Sequence, residues 1–305
     1  MQSSYLLTLL LFAVNAFAVS LPIRIVSWNV RFDADASTRQ DGEKPWSTIL
    51  CGIWSERCRK PHVIELLKNE AANTASPTII GLQEVLDNQL EDIKGGLGST
   101  WQHIGFGRDD GKKAGEYSPI LYNTDALTLV FSEMKWLSPT PDEVSFGWGA
   151  GSRRVVTIGV FEHKATGKRF IHANTHLDNV SSEARSEGIK VVASRIKAVR
   201  EQFGPLGATL TGDFNSEPNQ DAYQTLEDMD FLTEVSKSEA VKIRNLDLTY
   251  TGFESEAGFS RIDFVWFGPT EQHFYAAQSW EVVNNVVDGV FISDHRLVVA
   301  DLTAL

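Results

Sequence analysis

Apolar and polar residues alternate in short runs from one end of the chain to the other. Nine such runs are rich in β-branched and aromatic residues and read as strands: Ile23–Trp28, Thr78–Leu82, Ile120–Tyr122, Leu127–Phe131, Val155–Phe161, Arg169–Thr175, Ala208–Thr211, Ile262–Phe267 and Arg296–Leu302. Two segments carry a helical period instead. In Pro61–Asn73, Val63, Leu66 and Leu67 mark the turns. In Ser182–Phe203, Ile189, Val192, Ile196, Val199 and Phe203 recur at steps of three and four, which puts them on one face. Glu183 and Glu187 suit the start of that helix, Lys197 and Arg200 its end, and Gly204-Pro205 stops it. Strands outnumber helices but the two interleave, so the pattern predicts a layered α/β body. No linker divides it, and one domain is expected over residues 19–305.

Tyr5 to Val19 is a different kind of run, apolar except for Thr8 and Asn15 and closed by Ala16-Phe17-Ala18. That is the small-x-small ending of a secretory signal peptide, expected here as residues 1–18, although no Lys or Arg precedes it. A membrane anchor or a buried strand is the alternative. No later run approaches the ~18 apolar residues of a membrane span, so no stable membrane insertion is expected and the mature chain reads as extracellular. In an oxidising compartment Cys51 and Cys58, the only two cysteines, can close a small loop; two free thiols are the alternative. Asn179-Val180-Ser181 is the one sequon, which makes Asn179 a candidate glycan acceptor.

Composition narrows the class. An apolar share of 42% excludes disorder, and 23 Gly with 2 Cys among 305 residues exclude collagen-like and disulfide-dense scaffolds. With 28 Lys+Arg against 40 Asp+Glu the net charge is −12, which argues against a tight non-specific nucleic-acid binder. A nucleic-acid enzyme stays open, because a bound cation reverses the local sign of a carboxylate cluster.

The polar residues that end the strand runs carry the chemistry. Ile25–Trp28 leads into Asn29, Thr78–Leu82 into Gln83-Glu84, Phe170–Thr175 into His176, and Ala208–Gly212 into Asp213-Phe214-Asn215. Asp263 opens Phe264–Phe267, and Asp294-His295 precedes the last run. A hard cation such as Mg²⁺ takes oxygen from one or two carboxylates, keeping waters and phosphate oxygens besides. Glu84 and Asp294 can hold one, with Asn29 adding a neutral oxygen. Asp213 and Asn215 are two apart and, on an extended chain, leave the same face. One can take a proton from water while the other fixes a phosphoryl oxygen. His176 and His295 can serve phosphoryl oxygens in the transition state, and Asp263 can orient one imidazole. Singly each has a bland reading as a turn residue or a satisfied buried histidine. Together, in this order, they point to metal-assisted attack of water on a phosphate ester.

On these stretches the sequence resembles the endonuclease/exonuclease/phosphatase superfamily: Ser27-Trp28-Asn29-Val30-Arg31, Gly81-Leu82-Gln83-Glu84-Val85, Asn174-Thr175-His176-Leu177-Asp178, Thr211 to Pro218, Arg261 to Val265, and Ser293-Asp294-His295. The resemblance implies a four-layered α/β sandwich, with two mainly antiparallel β-sheets face to face and helices outside. It also implies hydrolysis of phosphate esters with Mg²⁺ or Mn²⁺, a second divalent ion remaining open. Carried over by motif, Glu84 is the principal metal ligand with Asn29 and Asp294 nearby. Asp213 positions or deprotonates the water, and Asn215 contacts phosphate. His295 binds the phosphoryl group with Asp263 behind it, and His176 matches a second histidine.

Gly107 to Tyr117 reads as a glycine-rich loop before a strand. From it Arg108 and Tyr117 are candidate phosphate contacts, and Glu116 a candidate partner for His176; Arg154 is a further candidate phosphate ligand. Phe146 to Gly151 is the one exposed-looking aromatic loop. The expectation is a secreted, monomeric, divalent-metal-dependent phosphoesterase with no protein partner inferable. Nucleic acid or nucleotide stands first among substrates, and a phosphatase or phospholipase C-type activity on sugar, inositol or lipid phosphates second. A secreted binding protein on an idle scaffold is the reading from another class.

Overall fold

The computed structural model describes residues 20–305 apart from Leu50, Gly52 and residues 73–75; the expected signal peptide and the end of the first expected helix at Asn73 lie outside the described residues. In chain order the strands are β1 (Leu21–Asn29), β2 (Thr78–Gln83), β3 (Trp101–Ile104), β4 (Ile120–Asn123), β5 (Leu127–Trp136), β6 (Val155–His163), β7 (Arg169–His176) and β8 (Ala208–Asp213). They continue as β9 (Thr233–Glu234), β10 (Val241–Lys242), β11 (Asp263–Gly268), β12 (Tyr275–Val283), β13 (Val286–Val287), β14 (Val290–Phe291) and β15 (Leu297–Ala304). The α-helices are α1 (Lys60–Ala71), α2 (Asp87–Leu97), α3 (Ser182–Phe203) and α4 (Asp221–Asp228). All nine strand runs and both helices read from the sequence fall on these elements; α2, α4 and β12 carry no equally regular pattern.

One sheet has seven strands in the order β10-β12-β15-β1-β2-β4-β3 and the other six in the order β5-β6-β7-β8-β11-β9. Most neighbours are antiparallel; β1 with β2, β7 with β8, and β10 with β12 are parallel. Three apolar clusters separate four layers. Val26, Trp28, Ile80, Leu82 and Val299 face Val63, Leu67, Leu90 and Ile93 of α1 and α2. Ile158, Val160, Ile171, Leu210, Phe264 and Trp266 face Ile189, Val192 and Ile196 of α3 and Tyr223 and Leu226 of α4. Between the sheets lie Ile23, Ile25, Ile79, Phe161, Phe170, Val265 and Val298. Helices therefore cover the outer face of each sheet, and the expected four-layered sandwich is the architecture.

Side chains alternate across a strand, so the inter-sheet face of each strand is a series at spacing two. On β1 that series is Ile23, Ile25, Ser27, Asn29; on β7 it is Phe170, His172, Asn174, His176; on β8 it is Thr209, Thr211, Asp213. On β1 and β7 the series begins apolar and turns polar toward the C-terminal end of the strand, while on β8 it is polar throughout. Gln83 donates to Asn174 at 2.8 Å, Thr211 donates to Asn174 at 2.9 Å, and His172 shares a hydrogen bond with Thr209 at 2.8 Å. This buried polar column leads out to one end of the sandwich, where the site lies.

Candidate active site

Strand register sets the side chains that face each other there. His176 pairs with Asp213 across β7 and β8, Asp213 with Asp263 across β8 and β11, and Asn29 with Gln83 across β1 and β2. Glu84 follows β2 with a left-handed backbone, φ +60°, a conformation that costs a non-glycine residue energy and persists where surroundings impose it. A cavity of about 540 Å³ opens over these strand ends, lined by Glu84, Arg108, Glu116, Arg154, His176, Asn179, Asp213, Asn215, Asp294 and His295, with Arg31, Phe32, Gln40 and Tyr250.

Asn29 links the acidic groups: its Nδ2 donates to Glu84 Oε1 at 3.0 Å and to Asp213 Oδ2 at 2.9 Å. His295 Nδ1 lies 2.8 Å from Asp263 Oδ2, and its Nε2 lies 3.7 Å from Asp213 Oδ2. Burial alone lowers the basicity of His295, but the Asp263 and Asp213 carboxylates raise its pKa well above the ordinary value. Burial, reinforced by Asp263, pushes Asp213 up to about 7. Such a carboxylate can exchange a proton near neutral pH. His176 is driven the opposite way from His295, well below its ordinary pKa, by burial and by Arg154 and Arg108.

Two residues differ from expectation in what they touch. Asn215 is not on an extended chain: its φ is +47°, and its amide N–H donates back to Asp213 Oδ1 at 2.9 Å. Both of its side-chain hydrogens are engaged, on His176 Nε2 at 3.1 Å and on Leu177 O at 3.1 Å. The geometry makes Asn215 a holder of His176 on the wall of the cavity. Tyr117 is buried against the α1–α2 layer, where its hydroxyl meets Asp87 Oδ1 at 3.0 Å and the Lys112 carbonyl at 3.0 Å. It lies off the cavity, so the phosphate contact expected of it is corrected.

The two arginines do reach the cavity. Arg108 forms a bidentate pair with Glu116, at 2.7 and 2.8 Å, which leaves Glu116 3.9 Å from His176 Nδ1, beyond hydrogen-bonding distance. Burial, then the charge of Glu84, raises the Glu116 pKa. Arg154 is buried; its Nη2 donates to Asn179 Oδ1 at 3.0 Å, and its Nε lies 3.7 Å from Asp178. Nε and Nη1 of Arg154 have no hydrogen-bond partner. Asn179 thus stands at the cavity mouth, where a glycan would cover the catalytic groups. Phe146 is exposed at the surface with Arg153 over its ring, while the Trp148 carbonyl accepts from Ser181. Cys51 and Cys58 form a disulfide.

Sequence reading missed Gln40, which donates to Asp294 Oδ2 at 3.0 Å, and Tyr250, whose ring sits 5.1 Å from that of His295. Both come from irregular segments with no periodicity to single them out.

Two groups can hold a divalent ion. Asp213, Asp263 and His295 bring ligand-type atoms within 4.8 Å of one another. His295 Nδ1 is committed to Asp263, however, and an imidazole held protonated donates hydrogen bonds and does not ligate. The second group is Glu84 and Asp294, whose carboxylate oxygens are the hard donors that suit Mg²⁺ or Mn²⁺; Asn29, expected to add a neutral oxygen, instead turns its Nδ2 to Glu84 and Asp213 while its Oδ1 accepts from the Arg31 amide. Asp294 is buried with only Gln40 and Ser293 as side-chain hydrogen-bond partners; burial and Glu84 raise its pKa although His295 opposes them. A buried carboxylate beside another, without a direct cationic partner, fits an ion at that place.

The fold and this cluster define a metal-dependent phosphoric ester hydrolase. The sequence model of the Endonuclease/Exonuclease/phosphatase family matches residues 26–295, and the chain belongs to that family. It is similar to a Bacteroides vulgatus endonuclease/exonuclease/phosphatase, with 31% identity over 93% of this chain and 99% of that one and a TM-score of 0.75. It is also similar to the mannosyl-6-phosphatase of Bacteroides thetaiotaomicron, at 28% identity, 92% and 99% coverage and a TM-score of 0.77. D. rerio TDP2, solved with a single-strand DNA product, shares the fold at 16% identity, 92% and 98% coverage and a TM-score of 0.62. No curated protein matches the sequence. Among the described residues no helix is long and apolar enough to cross a membrane.

Proposed function

We propose that this chain hydrolyses the phosphate monoester of a small polar molecule, with sugar phosphates as the first class to test. The carrying observation is Arg154: a buried guanidinium on the cavity wall with two nitrogens unpartnered, beside Arg108. Asp178, at 3.7 Å, and the nearby Glu116 and Glu84 face the charge of Arg154, but two nitrogens lack acceptors, which the oxygens of a phosphate monoester supply. A cavity of about 540 Å³ suits a sugar phosphate, and the net charge of −12 disfavours a polyanion. Identity of 28% to a mannosyl-6-phosphatase supports the same class. This reverses the order of substrates read from the sequence, where nucleic acid stood first.

In this reading Glu84 and Asp294 would hold a Mg²⁺ or Mn²⁺ ion, with Asn29 positioning Glu84, and the ion would neutralise phosphate charge and stabilise the leaving oxygen. Asp213 takes the proton from the attacking water as the new P–O bond forms and the ester P–O bond breaks; the leaving oxygen takes a proton from solvent and departs as the alcohol, and Asp213 returns its proton to solvent. His295 Nε2–H donates to a phosphoryl oxygen, with Asp263 orienting the ring and stabilising its positive charge. His176, held by Asn215, lines the opposite side.

Export is part of the proposal. The apolar run before Ser20 and the Cys51–Cys58 disulfide support it, since disulfides persist in oxidising compartments.

The test uses protein recovered from the medium of cells expressing the full chain, its intact mass expected to be that of residues 19–305. With Mg²⁺ or Mn²⁺ it should release phosphate from hexose 6-phosphates, and EDTA should stop it. Asp213→Asn should lose about 10²–10⁴-fold in kcat, the usual contribution of a positioned base. Metal-dependent cleavage of DNA or RNA in preference to sugar phosphates would return the nuclease reading to first place.

A further inference from the structure

Arg59 is wholly buried, yet it lines no part of the cavity. It follows Cys58 directly and enters α1, so the disulfide-closed insertion ends on it. Its guanidinium is spent almost entirely on backbone carbonyls. Nη1 donates to Val30 O at 2.7 Å and to Ile292 O at 3.3 Å, Nη2 to Phe32 O at 2.9 Å and Arg31 O at 3.2 Å, and Nε to Lys44 O at 3.0 Å. Its one ion-pair partner among the described residues is Glu43, at 3.4 Å, which also takes Arg31 at 3.4 Å, while Asp294 and Asp33 act on it from farther off. A guanidinium so poorly neutralised is costly to bury, and its rigid fork of donors can fix several acceptors at once.

Which acceptors it fixes matters. Val30 directly follows Asn29, which holds Glu84, and Ile292 lies two residues before Asp294, so a single nitrogen bridges the end of β1 and the segment that carries Asp294. Arg31, whose carbonyl Arg59 also holds, has a left-handed backbone at φ +58° and donates its amide N–H to Asn29 Oδ1 at 2.9 Å. The inner tie between the same ends is Ser293 Oγ donating to Asn29 O at 2.6 Å. Arg59 is the outer tie.

We propose that Arg59 is a positioning residue of the divalent-ion site: it fixes the end of β1 against the segment before β15, and thereby sets the affinity for the ion. The inference rests on the assignment of Glu84 and Asp294 as ligands, with Asn29 holding Glu84 in place. Lysine at this position keeps the charge but presents its donors from one point, and so cannot span carbonyls on both segments.

The test is direct Mn²⁺ titration of the full mature chain, read by electron paramagnetic resonance of the free ion, with no substrate present. Arg59→Lys should weaken Mn²⁺ binding about tenfold or more, the usual effect of removing an outer support of a metal ligand. Glu43→Gln, a nearly isosteric change that loosens the same clamp, should shift the Kd in the same direction by less. Ile196→Ala, a core cavity on α3 remote from the clamp, should lower the melting temperature without moving the Kd; an equal shift there would reduce Arg59 to general stability and overturn the proposal. An unchanged Kd in folded Arg59→Lys overturns it as well. If Arg59→Lys does not fold, an unchanged Kd in Glu43→Gln has the same force. Binding that survives Glu84→Gln undiminished would overturn the ligand assignment itself, and the clamp with it.

Discussion

Burial acts on three inward-facing histidines of this molecule, and the neighbours of each decide its protonation state. His295 meets two carboxylates and is held as the cation, whereas His176 meets two arginines and is held neutral. His172 meets only the hydroxyls of Thr209 and Thr211, and burial alone takes its pKa down to about 3. The unfolded chain therefore takes up this proton first as pH falls. Stability from the neutral imidazole is complete above the unfolded value near 6.5 and drains away until about 3. Between pH 6.5 and 5 that amounts to about 2 kcal/mol. His172→Gln, which keeps a hydrogen-bonding side chain but does not titrate, should flatten the pH dependence of the urea midpoint over that window. Equal slopes for the two proteins would refute the assignment. Residue types in the site were legible because strand-end Asp, Glu, His and Asn are conspicuous. What Asn215 and Tyr117 touch was not, since a sequence carries no record of which hydrogens a fold has already engaged. Arg59 was hidden for the same reason, appearing in the sequence as one more basic residue after a cysteine.

On β1 and β7 the inter-sheet face is apolar at the buried end and polar at the open end, while β8 adds Thr209 and Thr211 to the polar column beneath Asp213. Gly81 sits where this face of β2 comes closest to its neighbour: an added Cβ would lie 2.1 Å from Thr211 Oγ1 and 2.7 Å from Asn174 Oδ1. Gly81→Ala should thus part the sheets beneath Glu84 and break the Asn174–Thr211 contact, destabilising the protein by about 1–3 kcal/mol. Chemical denaturation measures it, and a midpoint within error of wild type would show that the column yields freely. The strands were readable because β-branched runs recur between turn residues. Helix α2 was not, because Leu90, Ile93 and Leu97 are its only large apolar residues and Gly95-Gly96 looks like a loop. Its Gly96 serves the crossing with α1, since a Cβ there would lie 2.4 Å from Ile64. Helix α4 is eight residues long, too short for a period to declare itself.

At the scale of the whole molecule, two sheets deliver Glu84, Asp213, Asp263 and Asp294 to one end of a chain whose net charge is already −12. Burial at Glu84 is outweighed by Asn29, His295, Arg31 at 3.8 Å and Arg154, which hold its pKa below the ordinary value, but Asp294 and Asp213 are left raised, so the repulsion is only partly offset. The folded chain without an ion therefore carries an electrostatic strain that unfolding would relieve, and a divalent cation at Glu84 and Asp294 relieves it without unfolding. Binding to the native state alone stabilises by RT ln(1 + [L]/Kd), about 2.7 kcal/mol at a hundredfold excess over Kd. For a domain of this size each kcal/mol raises the melting temperature by roughly 2–4 °C. Saturating Mg²⁺ or Mn²⁺ should accordingly raise it by about 5–10 °C over EDTA. Ca²⁺, larger and content with more ligands, should differ in its effect. Asp294→Asn removes the carboxylate whose charge the fold disfavours, through burial and the nearby Glu84, so it should melt higher than wild type in EDTA and gain less from the ion. That pairing separates a metal site from a merely acidic one: loss of a structural carboxylate lowers the melting temperature in both conditions, whereas loss of a ligand makes the two curves converge.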